Sequence, residues 1–463
     1  MNENKNRREF LSQSGKIITA YALLGAVSPV SYAKQRVAET RSETENSSKI
    51  TDNHYYLDNV LLESGFAFED QTVVRTLTER KTLEINNGKI VALHDNKLNQ
   101  GNSLPRYDAG GKLMLPAMRD MHIHLDKTFY GGPWRALNRP EGTTIRDMIK
   151  FEQKLLLELQ PYTQERAEKL IDLVQSKGTT IARSHCNIEP TSGLKNLENL
   201  QAVLARRRSG FNCEIVAFPQ HGLLLSESVS LMREAMQMGA DYVGGLDPTN
   251  VDGAMEKSLD TTFQIALDYS KGVDIHLHEA NPAGMAAINY MLDTVEKTPQ
   301  LKGKLTISHA FALAELNEQQ VDELAERMAA QGVTIASTIP IGTLHMPLKQ
   351  LSDKGVFVMT GTDSVIDHWS PYGLGDMLEK ANLYAQLYIR PNEQTLSRAL
   401  AIATGNVLPL NDKGERVWPK LMDDASFVLV DASCSAEAVA RISPRVATFH
   451  HGKMVWGSVD KVG

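Results

Sequence analysis

His122 and His124 stand two residues apart in Met121-His122-Ile123-His124-Leu125-Asp126, just after the apolar run Leu113-Met114-Leu115-Pro116-Ala117-Met118. On a β-strand residues i and i+2 share a face, so the two imidazoles project side by side, as two ligands of one divalent metal must. Alone, an H-x-H pair reads equally well as a polar strand end. Further ligand-type residues follow. Asp274-Ile275-His276-Leu277-His278-Glu279 offers a third imidazole and an acid–base carboxylate, with His276 and His278 competing for the ligand position. Ser308-His309 and Gly361-Thr362-Asp363-Ser364 come next. Three imidazoles and one carboxylate suit a single Zn2+ or Fe2+ with a position left for water. Such a metal acidifies water enough for attack at neutral pH, and a nearby carboxylate must then carry protons to a leaving nitrogen.

Each residue also has a plainer reading. His309 could be a hydrogen-bonded core histidine, Asp363 a turn former after glycine, and Glu279 a cap for the helix that follows Pro282. These readings weaken together because all the residues fall at the ends of strand-like runs. Eight such runs are visible: Leu115–His124, Thr179–His185, Glu214–Pro219, Tyr242–Leu246, Val273–His278, Leu305–His309, Val333–Ser337 and Val356–Gly361. Helical patterns lie between them, among them Thr163–Ser176, Ser226–Gln237, Thr261–Lys271 and Glu318–Gln331. Eight β/α repeats predict an α/β fold, a (β/α)8 TIM barrel over 116–415, whose catalytic groups gather where the strands end.

The two flanks are strand-rich. Residues 54–115 read as short strands and turns, with Asn87-Gly88 between apolar runs as a hairpin signal. Residues 416–463 have the same character, with a strand at Ala425–Asp431 and a hairpin turning at Gly452. Together they predict one small β-structure built from both chain ends. Residues 34–53 are polar and rich in Glu, Ser and Thr, the composition of a flexible linker. Asn6-Arg7-Arg8-Glu9-Phe10-Leu11, a weakly apolar stretch from Ile17 to Val30 and then Ser31-Tyr32-Ala33 resemble a cleavable twin-arginine export signal over 1–33, which would place the mature protein in the periplasm. That apolar stretch is too short and interrupted for a comfortable spanning helix, so no stable membrane insertion is expected.

The chain has 463 residues, 42% hydrophobic and 23% charged, as in soluble globular enzymes. A net charge of −7 argues against nucleic acid as a partner, since phosphate neutralisation wants a basic face. Cys186, Cys213 and Cys434 form no C-x-x-C pair, which leaves zinc knuckles and thioredoxin-like redox sites without support. The expected partner is a small-molecule substrate, and self-association as a homo-oligomer stays open.

His122-Ile123-His124-Leu125-Asp126, His276-x-x-Glu279, Ser308-His309 and Gly361-Thr362-Asp363, in this order, resemble the amidohydrolase superfamily. Ala217-Phe218-Pro219-Gln220 and Asp367-His368-Trp369-Ser370-Pro371-Tyr372-Gly373 are similar to segments of its cytosine deaminase-like branch. The resemblance runs from about residue 54 to the end and implies a distorted barrel with a small β-sandwich from both chain ends. It implies His122, His124, His276 and Asp363 as ligands of one divalent metal. Glu279 would shuttle protons to the ring nitrogen and the leaving amine. His309 would orient the attacking water and polarise the intermediate, and Asp363 would also accept a proton from that water. Gln220 would bond the substrate's amide edge, and Trp369 would wall the pocket.

Two departures bear on which ring is bound. Ser364 stands where cytosine deaminase carries a second, substrate-facing acid, and His221 replaces the usual acid after Gln220. Tyr242–Leu246 lacks the lysine that bridges metals in binuclear relatives, which favours one metal. The H-x-E and P-C-x-x-C signature of the cytidine-type deaminases is absent. The leading expectation is hydrolytic deamination of a cyclic amidine, such as a pyrimidine, triazine or pterin-like ring. The rivals are cleavage of an exocyclic or linear amide, which Ser364 favours, and a binding protein on a decayed barrel.

Overall fold

The computed structural model describes residues 47–48, 50–95, 104–137 and 139–462. The segment read as an export signal lies outside them, as does most of the segment read as a linker. Within that second segment Ser47–Ser48 pairs with Val459 and Asp460, and Ile50 is buried.

Eight parallel strands form a barrel in sequence order: β1 (Met118–Ile123), β2 (Thr179–Asn187), β3 (Asn212–Phe218), β4 (Tyr242–Leu246), β5 (Gly272–Leu277), β6 (Leu305–His309), β7 (Thr334–Ser337) and β8 (Phe357–Thr360). The seam between β8 and β1 is drawn together by a parallel bridge of Ile123 to Asp363 and by the Asp363 N–H donating to the His122 carbonyl at 2.7 Å. Gly361 makes that approach possible. A Cβ there would stand 2.4 Å from the His122 carbonyl oxygen.

The expected first strand ran from Leu115 to His124 without a break, and here the structure differs. Leu113–Pro116 belongs to the terminal sheet, paired with Phe427–Val430, and β1 begins only at Met118. Pro116 has no N–H to give a ladder, so the chain changes sheets beside it. Thr163–Ser176 and Glu318–Gln331 are helical over the expected spans. The second is bounded by an Asn317–Gln320 capping box and by Gly332 at φ 65°. The Ser226–Gln237 pattern becomes helical only at Val229, after Glu227 at φ 56°. A helix not singled out in the sequence, α1 (Ile145–Leu159), starts at a Thr144–Asp147 capping box.

The two chain ends build one mixed sheet of ten strands with its own apolar core, in which Phe427 stacks on Phe449 at 4.3 Å. Asn87-Gly88 turns a hairpin with both φ positive, 47° and 79°, the conformation that this dipeptide favours. The expected short strands of 54–115 are instead two long ones, His54–Glu69 and Thr72–Asn86. Three register shifts, between Leu57 and Val60, Glu63 and Gly65, and Ala67 and Phe68, let them bend. Among the described residues no helix is long and apolar enough to cross a membrane.

Candidate metal centre and substrate pocket

His122, on β1, and His124, one residue past its end, stand with ring centroids 5.7 Å apart. Asp363, in the left-handed region at φ 61°, brings its Oδ1 to 3.2 Å from His124 Nε2 and 3.5 Å from His122 Nε2. The ligand atoms of these three residues lie within 4.8 Å of one another, and those of His122, His276 and His309 do likewise. His276, near the end of β5, has its ring centroid 4.6 Å from that of His122. His309 ends β6 with its ring 4.8 Å from His122. The predicted ligands and His309 therefore form two clusters that share His122, with His124 and Asp363 in one and His276 and His309 in the other.

These side chains fit a divalent cation. His122 Nε2 and both ring nitrogens of His276 and His309 are buried without a hydrogen-bond partner in the protein. Leaving such groups unsatisfied is costly. Burial and the neighbouring imidazoles hold His276 well below the ordinary histidine range, and burial with His278 does the same for His309. Both are thus neutral, as His276 must be to serve as a ligand. Burial pushes the Asp363 carboxyl up, but the imidazoles of His122 and His124 beside it outweigh burial and hold it well below the ordinary range, so it is ionised.

The tautomer of His122 is set from behind. Ser308 Oγ donates to Asp274 Oδ1 at 2.6 Å, and His122 Nδ1 lies 3.0 Å from Ser308 Oγ. The serine's one proton is spent on a carboxylate that can only accept, so His122 donates through Nδ1 and directs the Nε2 lone pair into the centre. Arg183 anchors Asp274 at 3.0 Å and reaches Glu214 at 2.9 Å and Thr306 at 3.0 Å.

A cavity of about 310 Å³ opens over this centre, lined by His124, His276, His309 and Asp363 on its floor and by Gln220, Ser364 and Trp369 on its walls. Ile145, Leu246 and Phe311 supply apolar surface and Arg139 stands at the rim. All three predicted substrate-facing residues therefore line it. Trp369 Nε1 is buried without a partner, and Ser364 hydrogen-bonds Asp367. Glu279 Oε1 accepts from the Thr249 and Asn250 amides at 2.8 and 2.6 Å, and its Oε2 is buried and free. Burial raises its carboxyl above the ordinary range, against the pull of those amides. Of the two competing histidines, His276 clusters with His122 and His309, while His278, just past the end of β5, bonds Asp247 through Nδ1 at 3.0 Å and lines the cavity.

Several residues of the site had no assigned role in the sequence. His185 ends the predicted second strand and packs its ring 4.1 Å from His122, with both nitrogens buried and unpartnered. Its inward position, i+2 from Arg183, was the available signal. Lys127, fully buried, donates to Gln220 Oε1 at 2.6 Å and to Glu152 Oε1 at 3.0 Å. Glu152, on α1, also lies 3.2 Å from His221 and 3.3 Å from His368. His221 and His368, noted only as parts of motifs, thus belong to a charged cluster behind the pocket wall.

Comparison with known proteins follows the same lines. Residues 150–456 match the profile of the Amidohydrolase family. An uncharacterized Escherichia coli (strain K12) protein, YahJ, is 79% identical over 99% of this chain and 100% of its own. The crystal structure of N-isopropylammelide isopropylaminohydrolase from Burkholderia multivorans superposes with a TM-score of 0.76 at 29% identity, covering 87% of this chain and 98% of that one. That of 5-methylcytosine deaminase from Klebsiella pneumoniae gives 0.70 at 24% identity, covering 87% and 98%, and shares the fold.

Proposed function

The chain belongs to the amidohydrolase family, and from that premise we propose that it is a metal-dependent hydrolase that displaces an amine from a carbon of a nitrogen heterocycle, a pyrimidine, triazine or pterin-like cyclic amidine. One observation carries the reading: Asp363 beside His122 and His124 forms the floor of a cavity of about 310 Å³, a volume for a single small ring, whose wall presents Gln220.

His122, His124, His276 and Asp363 would hold one Zn2+ or Fe2+, which when bound supplies a Lewis acid that acidifies water. The remaining work falls to side chains. Asp363, ionised, accepts a proton from the attacking water. Glu279, with one oxygen pinned by two amides and the other buried and free, would take up a proton and return it to the ring nitrogen and the departing amine, although it is not itself among the cavity-lining residues. His309 faces the oxygen that adds to the ring carbon. Gln220 orients the ring, and Trp369 with Leu246 and Phe311 excludes water. In balance, water adds to the ring carbon, the C–N bond breaks, the amine leaves with its proton and the carbon becomes an oxo group.

A second reading, loss of an alkylamine or cleavage of an exocyclic amide rather than loss of ammonia, is favoured by Ser364, which offers no acid to the substrate, and by the apolar wall of Ile145, Leu246 and Phe311. The deciding experiment assays zinc- and iron-loaded protein for release of ammonia or alkylamine from cytosine, isoguanine, pterins, ammelide and N-alkylated ammelides. Release that falls by about 100-fold or more in Glu279→Gln supports the reading. No release from any ring, or unchanged turnover in Glu279→Gln, overturns it.

A further inference from the structure

The buried Lys127 does more than balance Glu152. Its Nζ, which can only donate, lies 2.6 Å from one terminal atom of the Gln220 amide, so that atom must be the carbonyl oxygen. The amide cannot turn over without setting its NH2 against an ammonium. Lys127 is itself held by the fully buried Glu152 at 3.0 Å, and Glu152 is gripped by His221 and His368 from its other sides. The whole assembly lies behind the cavity wall, and Gln220 is its member on the cavity lining. We propose that Lys127 is a specificity-determining positioning residue: it locks Gln220 so that only the Nε2 amino group faces the cavity, and the pocket therefore selects rings that present a hydrogen-bond acceptor, an oxo group or an unprotonated ring nitrogen, at that edge.

The inference rests on the cyclic-amidine reading and narrows it. A free glutamine reads donor and acceptor edges alike, because its amide flips at little cost. A locked one rejects a ring amino or N–H group, since two donors would meet at a buried edge. The favoured substrate is then an amino-substituted ring that keeps an oxo acceptor next to the reacting amidine; a fully amino-substituted ring can meet the amide only with a ring nitrogen flanked by amino donors and binds more weakly.

Calorimetric binding to the zinc-loaded full chain tests this with two matched pairs: cytosine against 2,4-diaminopyrimidine and ammelide against melamine. Ammonia release is followed in parallel. The oxo member of a pair is expected to bind at least about tenfold tighter. Lys127→Met frees the amide, and the preference should shrink by about tenfold. Because that change strands Glu152, Gln220→Glu serves as the second variant. Its carboxylate bonds Lys127 with one oxygen and shows the cavity an acceptor with the other, so the preference should invert. Equal binding within both pairs in the wild type, no binding of any ring, or an unchanged preference in folded Lys127→Met or Gln220→Glu overturns the proposal. A preference that follows these variants while no ring is hydrolysed supports it and instead sinks the catalytic reading.

Discussion

The amide of Asp363 donates to the carbonyl of His122 at 2.7 Å, while its carboxylate Oδ1 stands 3.5 Å from the Nε2 of the same histidine. One residue pair thus closes the barrel seam and assembles half of the metal centre. Closure and ligation are the same contact seen from backbone and side chain, so a change at the seam reaches the site without touching a ligand.

Gly361→Ala tests that coupling. The new Cβ would lie 2.4 Å from the His122 carbonyl oxygen and 2.5 Å from its Cβ, so β8 must retreat from β1. A loss of about 2 kcal/mol is expected from overpacking, together with weaker zinc retention. Thermal unfolding and metal content of the purified variant report the two effects. Normal metal content with lowered stability would uncouple seam from site.

Ser308→Ala addresses the tautomer of His122. Asp274 keeps Arg183 at 3.0 Å, so its charge stays paired, but His122 Nδ1 loses the acceptor that fixes the ring. Zinc affinity measured by chelator competition should drop about 10- to 100-fold, as for other groups that orient ligands, with little change in the unfolding midpoint. Undiminished affinity would mean that the imidazole is oriented without the serine.

Much of this was legible in the chain because strand ends and ligands coincide. The eight barrel runs could be placed because each is a short apolar stretch closed by polar residues, and Asn87-Gly88 marked its hairpin by the left-handed backbone it tolerates. What escaped reading depends on contacts distant in sequence. His185 has no spaced partner within its own strand, and its role appears only when β2 lies beside β1. Glu152 looks like a solvent-facing helix residue until α1 turns it inward to meet Lys127, 25 positions away. The break at Ala117 was hidden because the apolar pattern continues smoothly from one sheet into the next.

The Lys127–Glu152 pair should show strong coupling. Burial alone would strip the lysine's proton and raise the glutamate, but each charge offsets the desolvation of the other. Glu152→Gln leaves the ammonium buried and unpaired, and a loss of about 3–5 kcal/mol is expected. Adding Lys127→Met removes the stranded charge, so the double variant should be more stable than Glu152→Gln alone. Urea midpoints of the singles and the double give the coupling energy. Simple additivity would show that the two charges do not compensate each other.

Glu189 offers a pH-dependent test away from the metal ligands. Burial raises its carboxyl to about 7, against the pull of His221 and Ser192. Ser192 donates to Oε1, while Oε2 is buried and free. A raised acid is more readily protonated in the folded chain than in the unfolded one. Its contribution to stability is therefore intact at low pH and is lost as pH climbs from the ordinary glutamate value through about 7. Glu189→Gln keeps the acceptor that Ser192 uses and never ionises. Relative to wild type it should gain stability as pH rises, by about 3 kcal/mol between pH 4.5 and 8, at 1.4 kcal/mol per unit of pKa displacement. Denaturant titrations of both proteins across that range measure the difference. A constant gap at every pH would show that Glu189 ionises in the folded chain as it does in the unfolded one, with burial compensated by something other than Ser192 and His221.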